Sequence, residues 1–192
     1  MLRREALALA VFIVTMSIAS VLLIPKPTIK ISYNNLTKEA RKQVDCLADN
    51  IYFEAGKEPA DGKLAVALVT MNRVKSGIYP DNICDVVKQR RENTCQFTWW
   101  CISKTKLKAI DRQFTDEEME QYNKSQLVAL QVYLNHDTIT DITQGAMFYH
   151  ATYVSPQWRG MEKTIEIGQH IFYKRTSTTW VQPTTERTNE GF

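Results

Sequence analysis

The sequence lacks the motifs that identify several large enzyme classes. It has only seven glycines in 192 residues, and none belongs to a glycine-rich loop of the kind that binds phosphate or a dinucleotide. No G-x-S-x-G motif marks a serine nucleophile. There is no C-x-x-C pair, and the three histidines, His136, His150 and His170, are scattered, which disfavours a zinc site. We therefore expect an activity that needs neither a metal nor a cofactor.

An excess of one charge is also missing from most of the chain. The formal net charge of +3 arises within residues 1–30, because residues 31–192 contain 20 basic and 20 acidic side chains. A nucleic-acid-binding protein needs a basic face, so no nucleic acid is expected as a partner. The hydrophobic fraction of 44% and the charged fraction of 23% are ordinary for a globular protein, and the length allows one domain.

One long hydrophobic run is present, at the N-terminus. Residues 7–24 carry no charge, follow Arg3 and Arg4, and end at the Pro-Lys-Pro segment 25–27. The run is close to the roughly 20 apolar residues that cross a bilayer. It is predicted to be a signal anchor, and cleavage after the small-residue segment 17–19, as in a signal peptide, stays open. Both interpretations place the following domain outside the cytoplasmic membrane, anchored to its outer face or secreted.

Four cysteines, Cys46, Cys84, Cys95 and Cys101, form an even set that allows three pairings. In an exported protein at least one disulfide is expected. The last three lie close together along the chain, so a bridge among them would brace the aromatic segment that they enclose.

The spacing of apolar residues predicts an α+β fold with a helical bulk and a small antiparallel sheet. Capping residues and a 3.6-residue period predict helices over residues 37–55, 61–75, 82–89 and 115–135. A two-residue period predicts strands over 146–151, 164–167 and 170–173, the last two joined as a hairpin at Gly168. Residues 90–101 are predicted to be a loop and a short aromatic strand. The predicted units are a signal anchor or signal peptide (1–27), a linker (28–36), one folded domain (37–175) and a polar tail (176–192).

Glu54 is the first candidate for chemistry. It lies in the last turn of the first predicted helix, about 60° from the centre of the apolar stripe. Burial beside Tyr52 and Phe53 would raise the pKa of its carboxyl group and keep it protonated, as a proton donor to a glycosidic oxygen requires. By position alone, a helix-end glutamate that bonds backbone groups or a lysine is the more common case.

Two aromatic clusters follow later in the chain, at residues 96–100 and at residues 147–150 with 156–158. Aromatic faces flanked by amide and hydroxyl groups suit a sugar, which offers C–H faces for stacking and hydroxyls for hydrogen bonds. Ordinary core aromatics with satisfied polar tips would give a similar composition.

Six segments occur together and in order over most of the chain. They are ADNIYFEA (48–55), VALVTMNRV (66–74), residues 79–87, CQFTW (95–99), GAMFYH (145–150) and IGQHIFY (167–173). With these segments the sequence resembles the SleB/CwlJ-type cell-wall hydrolases, the catalytic domain of spore-cortex lytic enzymes that also occurs in bacterial envelope proteins and phage lysins. The resemblance covers residues 43–175.

The resemblance implies a compact lysozyme-like α+β fold, preceded here by the N-terminal transmembrane or signal helix, and activity on peptidoglycan glycan strands. The family's catalytic glutamate falls on Glu54. Its QFSW-type segment falls on residues 96–99, where Thr98 replaces the usual serine and retains the hydroxyl. The residues expected to contact substrate are Gln96, Phe97, Thr98, Trp99, Tyr149, His150 and Trp158.

The predicted reaction is cleavage of the β-1,4 bond between N-acetylmuramic acid and N-acetylglucosamine by a peptidoglycan lytic transglycosylase with one catalytic glutamate, or by a muramidase that hydrolyses the same bond. Asp49 lies about 140° from Glu54 around the helix, and Glu58 follows the helix end, so neither is an obvious second carboxylate of the kind that standard glycosidases use. Two alternatives stay open: an N-acetylmuramoyl-L-alanine amidase, and a non-catalytic membrane-anchored glycan-binding protein. A membrane-anchored enzyme of this size would suit a signal-anchor phage endolysin, whose partners are peptidoglycan and the membrane.

Overall fold

A computed structural model describes residues 32–92, 94–106 and 114–176 of the protein. The residues from Leu36 onward belong to one folded unit, and Tyr33–Asn35 form a short 3-10 helix in a separate N-terminal unit. The hydrophobic run at residues 7–24 and the tail beyond residue 176 lie outside the described residues. The domain boundaries therefore stay predictions. Within the described part of the chain, no helix is both long and apolar enough to cross a membrane.

The described residues contain five α-helices: α1 Lys38–Ala55, α2 Ala60–Lys75, α3 Ile83–Val87, α4 Thr98–Lys106 and α5 Asp116–Asn135. Four of them confirm the helices predicted from sequence. At the start of α1 the Thr37 hydroxyl accepts a hydrogen bond from the backbone N–H of Ala40. At the start of α5, Thr115 and Glu118 form the predicted capping box. Side chains that bond the first free backbone N–H groups fix where a helix begins, which explains the agreement at α1 and α5.

Helix α2 is the centre of the core. Ten of its residues are buried, because its sequence is apolar on almost every side. On one side it meets the apolar stripe of α1, with Val44, Leu47 and Ile51 fully buried. On another side Ala65 and Val69 pack against Phe172 of the sheet. The helix therefore holds the other helices and the sheet in one core.

In the described part of the chain, five strands form two small antiparallel sheets. The strands are β1 Arg90–Arg91, β2 Thr94–Cys95, β3 Phe148–Ala151, β4 Met161–Ile167 and β5 His170–Arg175. The larger sheet has the order β3-β5-β4, and Tyr149 of β3 lies opposite Phe172 of β5. The hairpin predicted at Gly168 is confirmed, with a φ of 58° that favours glycine. Strand β4 begins three residues earlier than predicted.

The prediction for residues 90–101 was wrong in its second half. A short aromatic strand was expected, but helix α4 begins at Thr98. Contacts with α1 explain the difference: the indole N–H of Trp99 donates to Asn50 at 3.0 Å, and its ring stacks on Phe53 at 4.6 Å. Such packing overrides the strand preference of aromatic residues.

The turn after α1 links that helix to the sheet. The Lys63 ammonium group donates to the backbone carbonyls of Ala55, Gly56 and Glu58 at 3.1, 2.8 and 2.5 Å. The Glu58 carboxylate in turn accepts a hydrogen bond from the backbone N–H of Gln169, in the β4–β5 turn, at 3.1 Å. The end of α1 is thereby held against the hairpin.

All four cysteines are paired. Cys46 of α1 is bonded to Cys84 of α3, and Cys95 of β2 is bonded to Cys101 of α4. The prediction of at least one disulfide is confirmed, and the second bridge encloses the aromatic segment as expected.

Candidate active site

A cleft of about 200 Å³ opens between the end of α1, the start of α4 and strand β3. Its lining combines polar and aromatic side chains, namely Glu54, Arg73, Gln96, Phe97, Thr98, Phe148, Tyr149 and Trp158. The volume is below the roughly 300–1,000 Å³ of pockets for drug-sized ligands, so the cleft suits one sugar unit of a longer chain.

Glu54 lies in the last turn of α1, where its carboxylate accepts a hydrogen bond from the Tyr149 hydroxyl at 2.9 Å. Burial raises the pKa of Glu54, while the Tyr149 hydrogen bond and the nearby Arg73 charge lower it. Burial prevails, so the pKa lies above the usual value for a glutamate. A carboxyl group in this environment retains a proton at a higher pH than an exposed one.

Tyr149 reaches Glu54 from strand β3. Its ring packs against His170 and Phe172, with ring centroids 5.2 and 5.6 Å apart. Burial and the neighbouring Glu54 charge raise the pKa of Tyr149 well above its usual value. The phenol therefore stays protonated and acts as a hydrogen-bond donor to Glu54.

Arg73 is a cleft residue that the sequence analysis did not single out. It comes from α2 and is only 3% exposed. Its Nε donates to the Met147 carbonyl at 2.8 Å, and its guanidinium group lies over the rings of Tyr79 and Phe97, at 5.4 and 5.0 Å from their centroids. The sequence signal for it is a basic residue at a buried position of an apolar helix.

Asn72, beside Arg73, fixes the chain that leads into β3. Its amide group donates to the Asp141 carboxylate, the Thr143 hydroxyl and the Ala146 carbonyl at 2.9, 3.3 and 3.0 Å. Together with the Arg73 bond to Met147, these contacts set the position of Tyr149 relative to α1.

The two walls of the cleft come from the two aromatic clusters. On one wall the backbone N–H of Gln96 donates to the Gln89 carbonyl at 2.9 Å, Phe97 is buried, and Thr98 begins α4. On the other wall Phe148 and Trp158 make an edge contact, with ring centroids 6.2 Å apart. Six of the eight predicted site residues therefore line the cleft, although their roles stay predictions.

Trp99 and His150, the other two, do not line it. The indole of Trp99 is hydrogen-bonded to Asn50, whose amide group donates a second hydrogen bond to the Thr70 hydroxyl of α2 at 3.2 Å. One ring nitrogen of His150 lies 2.9 Å from its neighbour's carbonyl, and the other lies 3.1 Å from the Tyr173 hydroxyl. Each residue lies next to one that lines the cleft. Trp99 follows the lining residue Thr98 in the chain, and the His150 ring contacts the lining residue Trp158, with ring centroids 5.5 Å apart.

The other two acidic residues considered from sequence lie outside the cleft lining. Asp49 faces α5, where it accepts a hydrogen bond from the Tyr122 hydroxyl at 3.2 Å, and burial raises its pKa to about 6. Glu58 is bonded to Gln169. Among the described residues, Glu54 supplies the one carboxyl group in the cleft lining. The arrangement can deliver one proton to a bound ligand and take one back.

Comparisons with known proteins identify the family of the chain. A family model described as cell wall hydrolase matches residues 57–173, beginning three residues after Glu54. A spore cortex-lytic enzyme from Oceanobacillus iheyensis is 34% identical over 55 residues, which are 29% of this chain. The matched stretch covers only 20% of that enzyme's length.

Two solved structures have a similar fold. The catalytic domain of the Bacillus cereus SleB protein superposes with a TM-score of 0.51 at 22% identity, over 78% of this chain and 100% of that domain. The catalytic domain of the germination-specific lytic transglycosylase SleB from Bacillus anthracis gives 0.50 at 25% identity, over 73% and 98%. The family match spans more than half of the chain and confirms the resemblance stated from sequence. The chain belongs to the cell-wall hydrolases, a family of enzymes.

Proposed function

We propose that the protein is a peptidoglycan lytic transglycosylase that cleaves the β-1,4 bond between N-acetylmuramic acid and N-acetylglucosamine. One observation carries the proposal: a half-buried glutamate with a raised pKa, hydrogen-bonded to Tyr149, supplies the one carboxyl group among the described residues that line an aromatic-walled cleft. Standard glycosidases need two carboxyl groups across the bond. A reaction that uses one group twice fits this cleft better.

In the first step Glu54 acts as the general acid. Its proton passes to the glycosidic oxygen as the bond from that oxygen to C1 of N-acetylmuramic acid breaks. The N-acetylglucosamine unit leaves with a free hydroxyl group, and Glu54 becomes a carboxylate. The Tyr149 hydrogen bond and the Arg73 charge stabilise that carboxylate, because both favour its ionised form.

In the second step the same residue acts as the base. The Glu54 carboxylate takes the proton from the C6 hydroxyl of N-acetylmuramic acid, and the C6 oxygen bonds to C1. The product is a 1,6-anhydro ring, and Glu54 is protonated again. No water is consumed, so neither step needs a second carboxylate.

The cleft walls would hold the sugar during both steps. Phe148 and Trp158 can stack against the C–H faces of a pyranose ring, as aromatic side chains do in sugar sites. Gln96 and Thr98 offer an amide and a hydroxyl group for its polar substituents. The Bacillus anthracis relative, described as a lytic transglycosylase, supports this assignment.

Product analysis by mass spectrometry tests the reaction. Digested peptidoglycan should carry 1,6-anhydromuramic ends. Reducing muramic ends would instead indicate a hydrolytic muramidase, and released stem peptides would indicate an amidase. Intact glycan that still binds the protein would indicate a non-catalytic glycan-binding protein.

For its location, we infer an exported enzyme held on the outer face of the cytoplasmic membrane by residues 7–24, as a signal-anchor phage endolysin would be. The uncharged length of that run supports insertion. Full-length protein should fractionate with membranes and retain its N-terminus by intact mass. A soluble product that begins at Ser20 would contradict the anchor and leave the catalytic proposal untouched.

A further inference from the structure

Arg73 has one donor that nothing in the described structure satisfies. Its Nη1 is buried and has no hydrogen-bond partner, although Nε is bonded to the Met147 carbonyl. The guanidinium group is fixed between the rings of Tyr79 and Phe97. A buried donor is costly to leave unpaired, and such groups in native proteins usually have a partner or a function.

The charge of Arg73 is also not neutralised by a close partner. Arg73 forms no salt bridge within the described residues, and Glu54, although near enough to affect its pKa, does not come within ion-pair distance. An arginine keeps its charge in proteins. A ligand in this cleft therefore meets a rigid, buried cation that can donate hydrogen bonds but cannot accept them.

The chemistry of the missing partner follows from these properties. It must be an acceptor, and its most favourable form is an oxygen with a strong dipole, such as an amide carbonyl. A sugar that carries an N-acetyl group provides that oxygen. The same sugar without the acetyl group carries an ammonium group instead, which can only donate and has the same charge as Arg73.

We propose that Arg73 is a substrate-binding residue whose guanidinium group donates to the acyl oxygen of the N-acetylated sugar at the cleavage site, and that it makes the enzyme selective against de-N-acetylated peptidoglycan. The proposal rests on the proposed function, since it assigns the ligand of the same cleft. Gln96 and Thr98 can contact hydroxyl groups of either sugar form, whereas Arg73 distinguishes the two.

The substrate comparison is made first with the unmodified enzyme. Peptidoglycan is chemically de-N-acetylated, and half of it is re-acetylated with acetic anhydride as the matched control. The enzyme should cleave the re-acetylated material at least about 100-fold faster, because sites built around a buried hydrogen bond strongly reject ligands that lack it. A ratio below about tenfold would overturn the proposal without any variant.

Arg73→Lys then assigns the selectivity to this residue. Lysine keeps the buried charge between the two rings but loses the forked donors. The ratio of the two cleavage rates, N-acetylated over de-N-acetylated, should fall at least about tenfold, because only the N-acetylated sugar offers the acceptor that the lost donors would bind. In Arg73→Met, which also removes the charge that stabilises the Glu54 carboxylate, both rates should fall and their ratio should stay low. An unchanged ratio in a variant with a normal thermal melt would overturn the assignment.

A binding measurement separates failure of this proposal from failure of the proposed function. Glu54→Gln protein is co-sedimented with N-acetylated and de-N-acetylated sacculi, and Arg73→Lys is compared in the same background. If the unmodified enzyme cleaves neither material, the proposed function is wrong, and the binding ratio alone decides the role of Arg73. Equal binding of the Glu54→Gln protein to N-acetylated and de-N-acetylated sacculi would then overturn the proposed role of Arg73.

Discussion

Three effects together determine the pKa of Glu54. Burial raises its pKa, and the Tyr149 hydroxyl and the Arg73 charge lower it. A residue that acts first as an acid and then as a base needs such a compromise, because a pKa far from the working pH would favour one step only. Its two neighbours therefore matter through their effect on Glu54 as well as through any contact with the sugar.

Tyr149→Phe should show this effect directly. The acid step needs protonated Glu54, so activity is lost as the pH rises through the Glu54 pKa. The Tyr149 hydrogen bond lowers that pKa, so its removal should move the alkaline limb of the kcat/KM profile to higher pH. The maximal rate should fall on the order of tenfold, since a hydrogen bond to a charged group contributes about 1.5 kcal/mol or more. Turbidity clearance of peptidoglycan between acid and alkaline pH measures both.

Tyr153→Phe is the matched control, because Tyr153 is 83% exposed in a surface loop. It should leave the profile unchanged. If Tyr149→Phe shifts the alkaline limb to lower pH, the account of the Glu54 pKa is wrong.

At this scale the sequence could indicate which residues to expect at the proposed site, but not which of them line the cleft. Glu54, Tyr149 and Trp158 reach the cleft as the resemblance implied. Trp99 and His150 lie in the same segments and point to other partners, Asn50 and Tyr173. Arg73 shows a local signal, a basic residue in an apolar helix, but its place in the cleft depends on tertiary contacts with the rings of Tyr79 and Phe97.

Among the elements, the end of α1 is the one that positions Glu54, the proposed catalytic residue. The last carbonyls of a helix have no partner inside it, and here Lys63 satisfies three carbonyls at and just beyond the end of α1. Gly56 contributes through close approach: a Cβ atom there would lie 2.4 Å from the Tyr52 carbonyl oxygen. The turn can therefore leave α1 sharply and place Glu54 beside the sheet.

Lys63→Met should lower the free energy of unfolding by about 2–4 kcal/mol, because buried carbonyl groups left without a donor cost about 1–3 kcal/mol each. Urea denaturation followed by circular dichroism measures the change. Lys57→Met is the matched control in the same turn, where the side chain is exposed, and should stay within about 0.5 kcal/mol of the unmodified protein. Equal changes in the free energy of unfolding for the two substitutions would show that the Lys63 hydrogen bonds to the three carbonyls do not stabilise the end of α1.

The contact between α1 and α5 should make stability depend on pH. The pKa of Asp49 is raised from 3.8 to about 6, so the folded state binds this proton more tightly than the unfolded state. Its stabilising effect is present below 3.8 and is lost as the pH rises to about 6. Asp49→Asn should therefore raise the free energy of unfolding at pH 7.5 by about 2 kcal/mol and change it little at pH 4.

Thermal melts at the two pH values test this prediction, with the exposed Asp81→Asn as control. The Tyr122 hydroxyl can still donate to the amide oxygen of asparagine, so the helix contact is retained. Destabilisation by Asp49→Asn at pH 7.5 would show that the ionised carboxylate is a favourable partner there.

Elements with a local start signal could be predicted from the sequence to within a few residues. Thr37 and the capping box at Thr115 are such signals, and the turn at Gly168 is another. Helix α4 has no comparable signal. Its aromatic residues favour a strand locally, and contacts with α1 that are distant in sequence decide the outcome.

At the scale of the whole molecule, one disulfide is expected to contribute mainly to stability and the other mainly to the position of the cleft wall. Cys46–Cys84 joins α1 to α3 across 38 residues, whereas Cys95–Cys101 closes six residues that include the wall formed by Gln96 to Thr98. A longer closed loop restricts the unfolded chain more, which corresponds to about 4 kcal/mol for the first bridge and about 2 kcal/mol for the second.

Replacing each cysteine pair by alanine should therefore separate stability from activity. Loss of Cys46–Cys84 should reduce the free energy of unfolding more and leave the rate at 20 °C nearly unchanged. Loss of Cys95–Cys101 should reduce the free energy of unfolding less and lower the rate more, because the cleft wall formed by Gln96 to Thr98 is no longer held by this disulfide. Chemical denaturation measures the free energy of unfolding, and peptidoglycan clearance by the same preparations measures the rate. A larger loss of rate without Cys46–Cys84, or a larger loss of stability without Cys95–Cys101, would contradict these separate roles.

The central claim is that Glu54 delivers the proton in glycan cleavage, and Glu54→Gln tests it most directly. The amide retains an oxygen that can accept the Tyr149 hydrogen bond but has no acidic proton. The variant should melt as the unmodified protein does and clear a peptidoglycan suspension at less than about one hundredth of its rate, since general acid catalysis typically contributes 10²–10⁴-fold. The exposed Glu117→Gln, made as control, should retain full activity. A folded Glu54→Gln enzyme that clears peptidoglycan faster than about one hundredth of the unmodified rate would contradict the account.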